Sequence, residues 1–232
     1  MKKTLLVALL LCVCLVSSAL GEAAAPTADP VVYVSVNDGQ GALALAAEPI
    51  TVTDTDLDGA LTIHDALTCA HAAAFPEGAE GYLAAESEFG LSLLKLWGVE
   101  NGGSCGYYLN DASAWSLLDP IKEGDHVKAF NYTDLTGFTD TYCYFDALLL
   151  ETAAGTEVTL TLTAAAFDEN WMPIAVPVAG ATLIVGGEPT ALVTDAEGKA
   201  VLTFEAPGTY LITADSAEMN LVDPVCVITV VE

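Results

Sequence analysis

The chain has 232 residues, of which 32 are Asp or Glu and 6 are Lys or Arg, so its formal net charge is −26 at pH 7. Such a surface repels nucleic acid and anionic lipid and attracts cations, which excludes polyanions as expected partners. Because 53% of the residues are hydrophobic, the composition is that of a folded protein rather than a disordered acidic tail.

The first 21 residues have the pattern of a secretory signal peptide. Lys2 and Lys3 precede an apolar run at residues 4–16, and the sequence Ala-Leu-Gly at 19–21 supplies a cleavage site. The apolar run is too short for a comfortable membrane span. We therefore predict a secreted or cell-surface bacterial protein that has no membrane span after cleavage. Removal of two lysines takes the formal charge from −26 to −28.

A flexible Ala/Pro linker is predicted at residues 22–30, and the first folded unit at 31–76. The runs "VVYVSV" and "ALALAAEPITV" are β-like, and the glycines of the intervening "NDGQG" suit a hairpin turn. Further on, Ile63, Ala66, Leu67, Ala70 and Ala74 recur at helical spacing before Pro76. The pattern predicts a β-hairpin followed by a loop and a helix.

The loop "DTDLDGALTIHD", residues 54–65, has the spacing of a calcium-binding loop. Such a loop needs oxygen ligands at positions 1, 3 and 5, a glycine at 6, a backbone carbonyl at 7 and a carboxylate at 12. The predicted Ca²⁺ ligands are therefore Asp54, Asp56, Asp58, the carbonyl of Ala60, Thr62 at the position often filled through a water, and Asp65. The alternative is an acidic turn in which Asp65 only favours the first turn of the helix.

The segment that enters this loop is β-like, and position 12 is Asp rather than Glu. With these features, "DTDLDGALTIHDAL" resembles one half of a dockerin module, whose loop-helix repeats bind calcium without an entering helix. The resemblance covers about 20 residues. A full dockerin has two such repeats, and no second repeat is found in this sequence, so the resemblance implies calcium binding rather than docking to a cohesin.

Residues 77–150 are predicted to form a small α+β domain. Its Trp97, Gly98, Tyr108, Asn110, Gly124, Asp125 and Val127 follow the pattern of the C-terminal domain of transcobalamin-like proteins, which this segment resembles. The resemblance implies a corrinoid-like ligand. Independently, the aromatic side chains of this segment could line a small-molecule or carbohydrate surface, with Trp97, Tyr108 and Trp115 as the candidates. The alternative is that these aromatic side chains fill the core of a small domain.

Residues 151–232 alternate apolar and polar side chains, with turns every 8 to 12 residues, which predicts an antiparallel β-sandwich. The pieces "TDAEGKAVLTF" and "GTYLITA" make this region resemble bacterial immunoglobulin-like domains, which act as spacers or adhesive modules. The predicted fold class is therefore mixed and mainly β: a hairpin with a calcium loop and helix, an α+β domain and a sandwich.

Four cysteines follow the predicted signal peptide, and export would permit disulfides. We predict a bond between Cys105 and Cys143 because both fall in the predicted middle domain; buried free thiols are the alternative. Cys12 and Cys14 lie inside the apolar run, without the preceding small residues that a lipid-attached cysteine needs.

Catalytic motifs such as GxSxG, HExxH or a phosphate-binding glycine loop are not found in the sequence, and it has no arginine. We therefore expect a non-enzymatic, calcium-binding module for binding or adhesion at the cell exterior, with an extracellular protein or carbohydrate as its partner. Two alternatives are open. One is a small-molecule binding protein that uses the middle domain. The other is a scaffold subunit that docks through the helix at 63–75 with Leu67 and His71 exposed.

Overall fold

A computed structural model describes residues 29–170 and 172–232. The predicted signal peptide and residues 22–28 of the predicted linker lie outside these ranges. The described chain is mainly β and forms two units, at residues 31–132 and 141–232, which the loop at 133–140 connects. Each unit has its own cluster of buried apolar side chains.

The first unit contains seven strands, one α-helix and a short 3₁₀ turn at Gly78–Gly81. Its elements are β1 (Val31–Asn37), β2 (Leu43–Thr51), α1 (Ile63–Ala74), β3 (Leu83–Ser87), β4 (Gly90–Lys95), β5 (Cys105–Leu109), β6 (Ala112–Ser113) and β7 (His126–Asn131). Five of these strands form one sheet in the order β2-β1-β7-β5-β6, and β3 and β4 form a separate hairpin.

The predicted hairpin is present as β1 and β2, but β1 also pairs in parallel with β7. Tyr33 lies opposite His126 in this pairing, and Asn37 lies opposite Phe130. The sequence pattern predicts separate units at residues 31–76 and 77–150, whereas the structure places residues 31–76 and most of 77–132 in one sheet and one core. Pairing over more than 90 residues depends on long-range packing, which local periodicity does not report.

The predicted helix is α1, which packs its apolar stripe against this sheet. Ile63, Ala66, Leu67 and Ala70 are fully buried and contribute to the same core as Val34. Burial of a Leu or Ile side chain contributes about 1.5 to 3 kcal/mol, so packing on the sheet, rather than helix propensity alone, stabilises this short helix.

The second unit is a sandwich of two sheets. Its strands are β8 (Thr141–Phe145), β9 (Leu149–Ala153), β10 (Glu157–Phe167), β11 (Pro173–Pro177), β12 (Thr182–Val185), β13 (Glu188–Val193), β14 (Lys199–Thr203), β15 (Gly208–Asp215), β16 (Leu221–Val222) and β17 (Cys226–Val231). One sheet has the order β11-β10-β8-β16, with β14 also paired to β10, and the other has the order β13-β12-β15-β17-β9.

Alternation along the strands explains the sandwich core. In β10, Val158, Leu160 and Leu162 are buried while the intervening threonines are more exposed. They meet inward side chains of the other sheet, such as Ile212 and Ile228. The predicted sandwich began at residue 151, but β8 and β9 already belong to it, since β8 pairs with β10 and β9 pairs with β17.

Among the described residues, no helix is both long and apolar enough to cross a membrane.

Candidate metal centre

The acidic loop is held at both of its ends by the first unit. It leaves β2 and ends at α1, whose N-cap is Thr62. The last residues of the loop run alongside residues 117–121, because the amide of Ile63 donates to the carbonyl of Asp119 (3.1 Å) and the amide of Ile121 donates to that of Leu61 (3.0 Å). The scaffold therefore fixes where the loop begins and ends, while its acidic tip is exposed.

The carboxylates of Asp54, Asp56 and Asp58 converge at this tip. One oxygen from each lies within 4.8 Å of the others. Two ligands on opposite sides of a calcium ion are separated by about 4.6 to 5.2 Å, twice the usual Ca–O distance, so three carboxylates at this spacing fit one ion. The sharp bend that brings them together passes through Gly59, which has a φ of +90° that favours glycine.

Backbone amides support the same cluster from inside the loop. Asp54 accepts from the amide of Gly59 (2.9 Å), and Asp58 accepts from the amide of Ala60 (2.8 Å). These bonds orient the carboxylates toward one another although their charges repel. A hard divalent cation bound between them would relieve that repulsion.

Asp65 does not join the cluster. Its Oδ1 accepts from the amide (2.7 Å) and hydroxyl (2.6 Å) of Thr55, and its Oδ2 accepts from the amide (3.0 Å) and hydroxyl (2.9 Å) of Thr62. The residue is fully buried, and with Thr62 it forms a capping box on α1. The predicted ligands Asp65 and Thr62 are thus oriented toward each other, and Asp65 ties the start of the loop to the helix.

Thr55 is a functional residue of this loop that the calcium-loop pattern does not mark. It occupies loop position 2, which carries no ligand in the calcium-loop pattern. Its two hydrogen bonds to Asp65 span ten residues. The local sequence pattern does not link a Thr to a carboxylate ten residues later, so the sequence does not predict this contact.

The candidate ligand-binding aromatic residues lie in three different surroundings. Trp97 packs against His71 and Phe75, with ring centroids 5.1 and 5.2 Å apart. Tyr108 stacks on Tyr142 of the sandwich at 3.5 Å, and Trp115 is 96% exposed. The structure therefore does not bring the three rings together into one binding surface.

Two residues of the transcobalamin-like pattern do contact each other, but in a structural role. The side-chain amide of Asn110 donates to Asp125 (2.9 Å), and its carbonyl oxygen accepts from the amide of His126 (2.9 Å). These bonds lock the turn after β5 onto the start of β7. Such contacts specify the fold and leave both side chains occupied.

The predicted Cys105–Cys143 disulfide is corrected by the structure, in which both thiols are free. Cys105 lies in β5 of the first unit and donates to Asn131 (3.2 Å), whereas Cys143 lies in β8 of the sandwich and donates to the carbonyl of Val222 (3.2 Å). The prediction placed both residues in one domain, and the unit boundary falls between them.

The helix face proposed for docking of a scaffold subunit is also corrected. Leu67 and His71 are both fully buried. The Nδ1 of His71 hydrogen-bonds to the carbonyl of Leu67 (2.6 Å), and its Nε2 accepts from the amide of Trp97 (3.0 Å). This face of α1 is part of the core and is not available to a partner.

A narrow cleft lies between the two units, lined by Asp111, His126, Lys128, Tyr142, Cys143, Tyr144, Phe145, Leu148 and Val225. Its volume of about 10 Å³ is room for roughly one water molecule. Pockets for small-molecule ligands are usually about 300 to 1,000 Å³, so this cleft does not favour the small-molecule alternative.

No protein-family model matches the chain, and no curated protein matches it. Two solved structures show weak likeness. The N-terminal Ig1-2 module of the Drosophila receptor protein tyrosine phosphatase DLAR is 14% identical and covers 66% of this chain and 76% of its own, with a TM-score of 0.26. The tandem Ig repeats of Dlar are 13% identical over 65% of this chain and 75% of their own, with a TM-score of 0.24. At these TM-scores the likeness supports no conclusion about this chain.

Proposed function

We propose that the chain is an exported, non-catalytic module for binding or adhesion whose loop at residues 54–65 holds one calcium ion. The observation that carries the proposal is the convergence of Asp54, Asp56 and Asp58 within 4.8 Å of one another. Export is supported by the signal-like sequence at residues 1–21. The β-sandwich of the second unit is an architecture that many cell-surface domains share, which is compatible with a role in binding or adhesion.

The proposed ion has a structural role. It would neutralise three carboxylates that otherwise repel one another, and it would fix the loop between β2 and α1. Single sites in extracellular modules bind calcium with dissociation constants of about 10⁻⁴ to 10⁻³ M, which suits calcium levels outside the cell. The donors available at the tip are the three carboxylates and the carbonyl of Ala60, with water completing the shell.

The test is the calcium dependence of thermal unfolding. At about 10 mM Ca²⁺, a site with a dissociation constant of about 1 mM adds about 1.4 kcal/mol of stability, which raises Tm by about 3 °C in a protein of this size. The chain lacking residues 1–21 should show this rise. The double variant Asp54→Asn, Asp58→Asn should lose it, because only one carboxylate of the cluster is left.

Two controls separate binding from screening of the acidic surface. Asp38→Asn changes an aspartate that also caps a turn, since Asp38 accepts from the amide of Gln40 (2.8 Å), and this variant should keep the rise. Sodium chloride at the same ionic strength should give a smaller effect that is equal in all three proteins. An equal calcium effect in the double variant would show that the loop is only an acidic turn.

A further inference from the structure

Lys128 is a buried lysine at the boundary between the two units. The chain has four lysines after residue 21, at positions 95, 122, 128 and 199, and no arginine. Lys128 is 1% exposed and lies in the middle of β7, at the face that meets the sandwich. A buried ammonium is unfavourable unless charges and hydrogen bonds compensate it, so its position requires a specific reason.

The ammonium of Lys128 reaches across the boundary between the two units. It donates a hydrogen bond to the main-chain carbonyl of Asp223, which lies just before β17 of the sandwich. It also lies over the ring of Tyr142, 6.0 Å from the centroid. Lys128 belongs to the first unit, and both of these partners belong to the second.

Two half-buried carboxyl groups lie near this ammonium, one on each side of the boundary, and neither forms an ion pair with it. Asp111, in the turn between β5 and β6, lines the same cleft and accepts from the hydroxyl of Tyr142 (2.7 Å). Asp223 contributes its carboxylate from the sandwich, and both carboxylates favour the charged form of Lys128. Other titratable groups that line the cleft are Cys143, His126, Tyr142 and Tyr144.

The pKa values of these groups reflect the same burial. Burial lowers the pKa of Lys128 to about 8, while the charges of Asp223 and Asp111 act in the opposite direction. Burial raises the pKa of Asp111 and of Asp223, and Lys128 opposes both shifts. Cys143 has a pKa raised to about 12 by burial, and His126 has a pKa lowered to about 3, first by burial and then by Lys128. Lys128 is therefore the cation beside two half-buried carboxyl groups at this junction.

Packing around this group forms a third, smaller apolar cluster that bridges the units. Its buried members are Phe130, Tyr142 and Val222. The Tyr108 and Tyr142 rings stack with an interplanar angle of 3°. A polar bond from Asn220 to Thr133 (3.0 Å) closes the edge. The two main cores are separate from this cluster, so each unit has a core of its own without it.

We propose that Lys128 docks the two units into one rigid body by compensating Asp111 of the first unit and Asp223 of the sandwich across their shared boundary. Without the ammonium, two half-buried carboxylates would be left with no counter-charge, although Tyr142 donates to Asp111, and Leu43 and Asn37 donate to Asp223. Separation of the units would hydrate both carboxylates. This inference does not depend on calcium binding.

The test is ¹⁵N NMR relaxation at pH 7, which reports whether the two units tumble as one body. In the unsubstituted chain, both units should share one rotational correlation time. In Lys128→Met, each unit should tumble independently, with a correlation time shortened by roughly one third to one half. Lys199→Met, which removes an exposed lysine from β14, is the matched control and should behave like the unsubstituted chain.

A triple variant, Lys128→Met with Asp111→Asn and Asp223→Asn, separates charge compensation from loss of packing. With no charge left to compensate, it should return to a single correlation time. The proposal is overturned if Lys128→Met tumbles as one body, or if the triple variant is no better docked than Lys128→Met. Should Lys128→Met fail to fold, the triple variant decides: a folded, docked protein supports the proposal, and an unfolded one overturns it.

Discussion

The carboxylate of Asp65 stabilises the fold through four hydrogen bonds, two from Thr55 and two from Thr62. Burial acts to raise its pKa, but these bonds together outweigh burial, so the pKa of Asp65 lies below its ordinary value. Hydrogen bonds to a charged group contribute about 1.5 to 3 kcal/mol, more than neutral ones. Asp65 should therefore matter for stability whether or not a metal is bound.

We expect Asp65→Asn to lower the free energy of unfolding by about 2 kcal/mol at pH 7 in calcium-free buffer. The asparagine amide has one acceptor oxygen where the carboxylate has two, so it cannot accept all four hydrogen bonds that Thr55 and Thr62 donate to Asp65. Urea unfolding followed by circular dichroism measures the difference. A change below about 0.5 kcal/mol, the size typical of surface substitutions, would show that the four bonds contribute little.

The contribution of Asp65 should also depend on pH in one direction. Because its pKa in the folded protein is lowered, the stabilisation is present above the unfolded value of about 3.9 and is lost as pH falls through the folded value. The stability difference between the unsubstituted chain and Asp65→Asn should therefore shrink below pH 4. A difference that stays constant between pH 7 and pH 3 would contradict this account.

His71 should make the protein less stable in mild acid. Burial lowers its pKa, while its bond to the Leu67 carbonyl acts the other way, so the unfolded chain takes up a proton first as pH falls below 6.5. The free energy of unfolding should drop by up to about 1.4 kcal/mol per pH unit for this group. Unfolding at pH 7, 6 and 5 should show a shallower slope in His71→Gln; equal slopes would refute the assignment.

Local sequence pattern predicts that residues form one cluster only where these residues are close together along the chain. Asp54, Asp56 and Asp58 are neighbours along the loop, and the structure places them in one cluster. The burial of Lys128 was not predictable in this way, since its partners Asp223 and Tyr142 are distant in sequence. The chemistry of an isolated lysine in "HVKAF" indicates exposure, and only tertiary packing reverses it.

Strand β10 carries much of the sandwich core at the scale of single elements. Leu162 is fully buried at the point where β10 passes from pairing with β14 to pairing with β8 and β11. Its amide also donates to the carbonyl of Gly198 (2.7 Å). Side chains in such a position have no room to relax when atoms are removed.

We expect Leu162→Ala to destabilise the protein by about 2 to 5 kcal/mol, the range for removal of a large buried aliphatic group. Val201→Ala, on the neighbouring strand β14, is the matched control, because Val201 is 47% exposed and should cost about 0.5 kcal/mol or less. Chemical denaturation of both variants measures these costs. Similar costs for the two would mean that β10 is not the central element of this core.

Most helices and strands could be predicted from local sequence pattern, but which strand pairs with which could not. The alternation in "EVTLTLTAAAF" and the helical spacing from Ile63 to Ala74 correspond to β10 and α1. The parallel pairing of β1 with β7 joins residues that no hairpin signal connects. The boundaries at residues 76 and 150 shifted for this reason, since strand pairing, rather than composition, defines the units.

The whole molecule combines two β units with an acidic surface. One unit holds the loop at residues 54–65 and the other is the sandwich, and the cluster around Tyr108 and Tyr142 joins them. The full sequence has a formal net charge of −26, and one of its few lysines, Lys128, is buried. So acidic a surface attracts divalent cations in general. A specific site must therefore be distinguished from this diffuse attraction by its stoichiometry.

The most direct measurement of the central claim is calorimetric titration of calcium into the chain lacking residues 1–21, at about 0.15 M NaCl to screen the diffuse attraction. We predict one calcium ion per chain with a dissociation constant of about 10⁻⁴ to 10⁻³ M, and loss of this binding in Asp54→Asn, Asp58→Asn but not in Asp38→Asn. Absence of saturable binding up to about 10 mM calcium, or equal binding in the double variant, would contradict a calcium site in this loop.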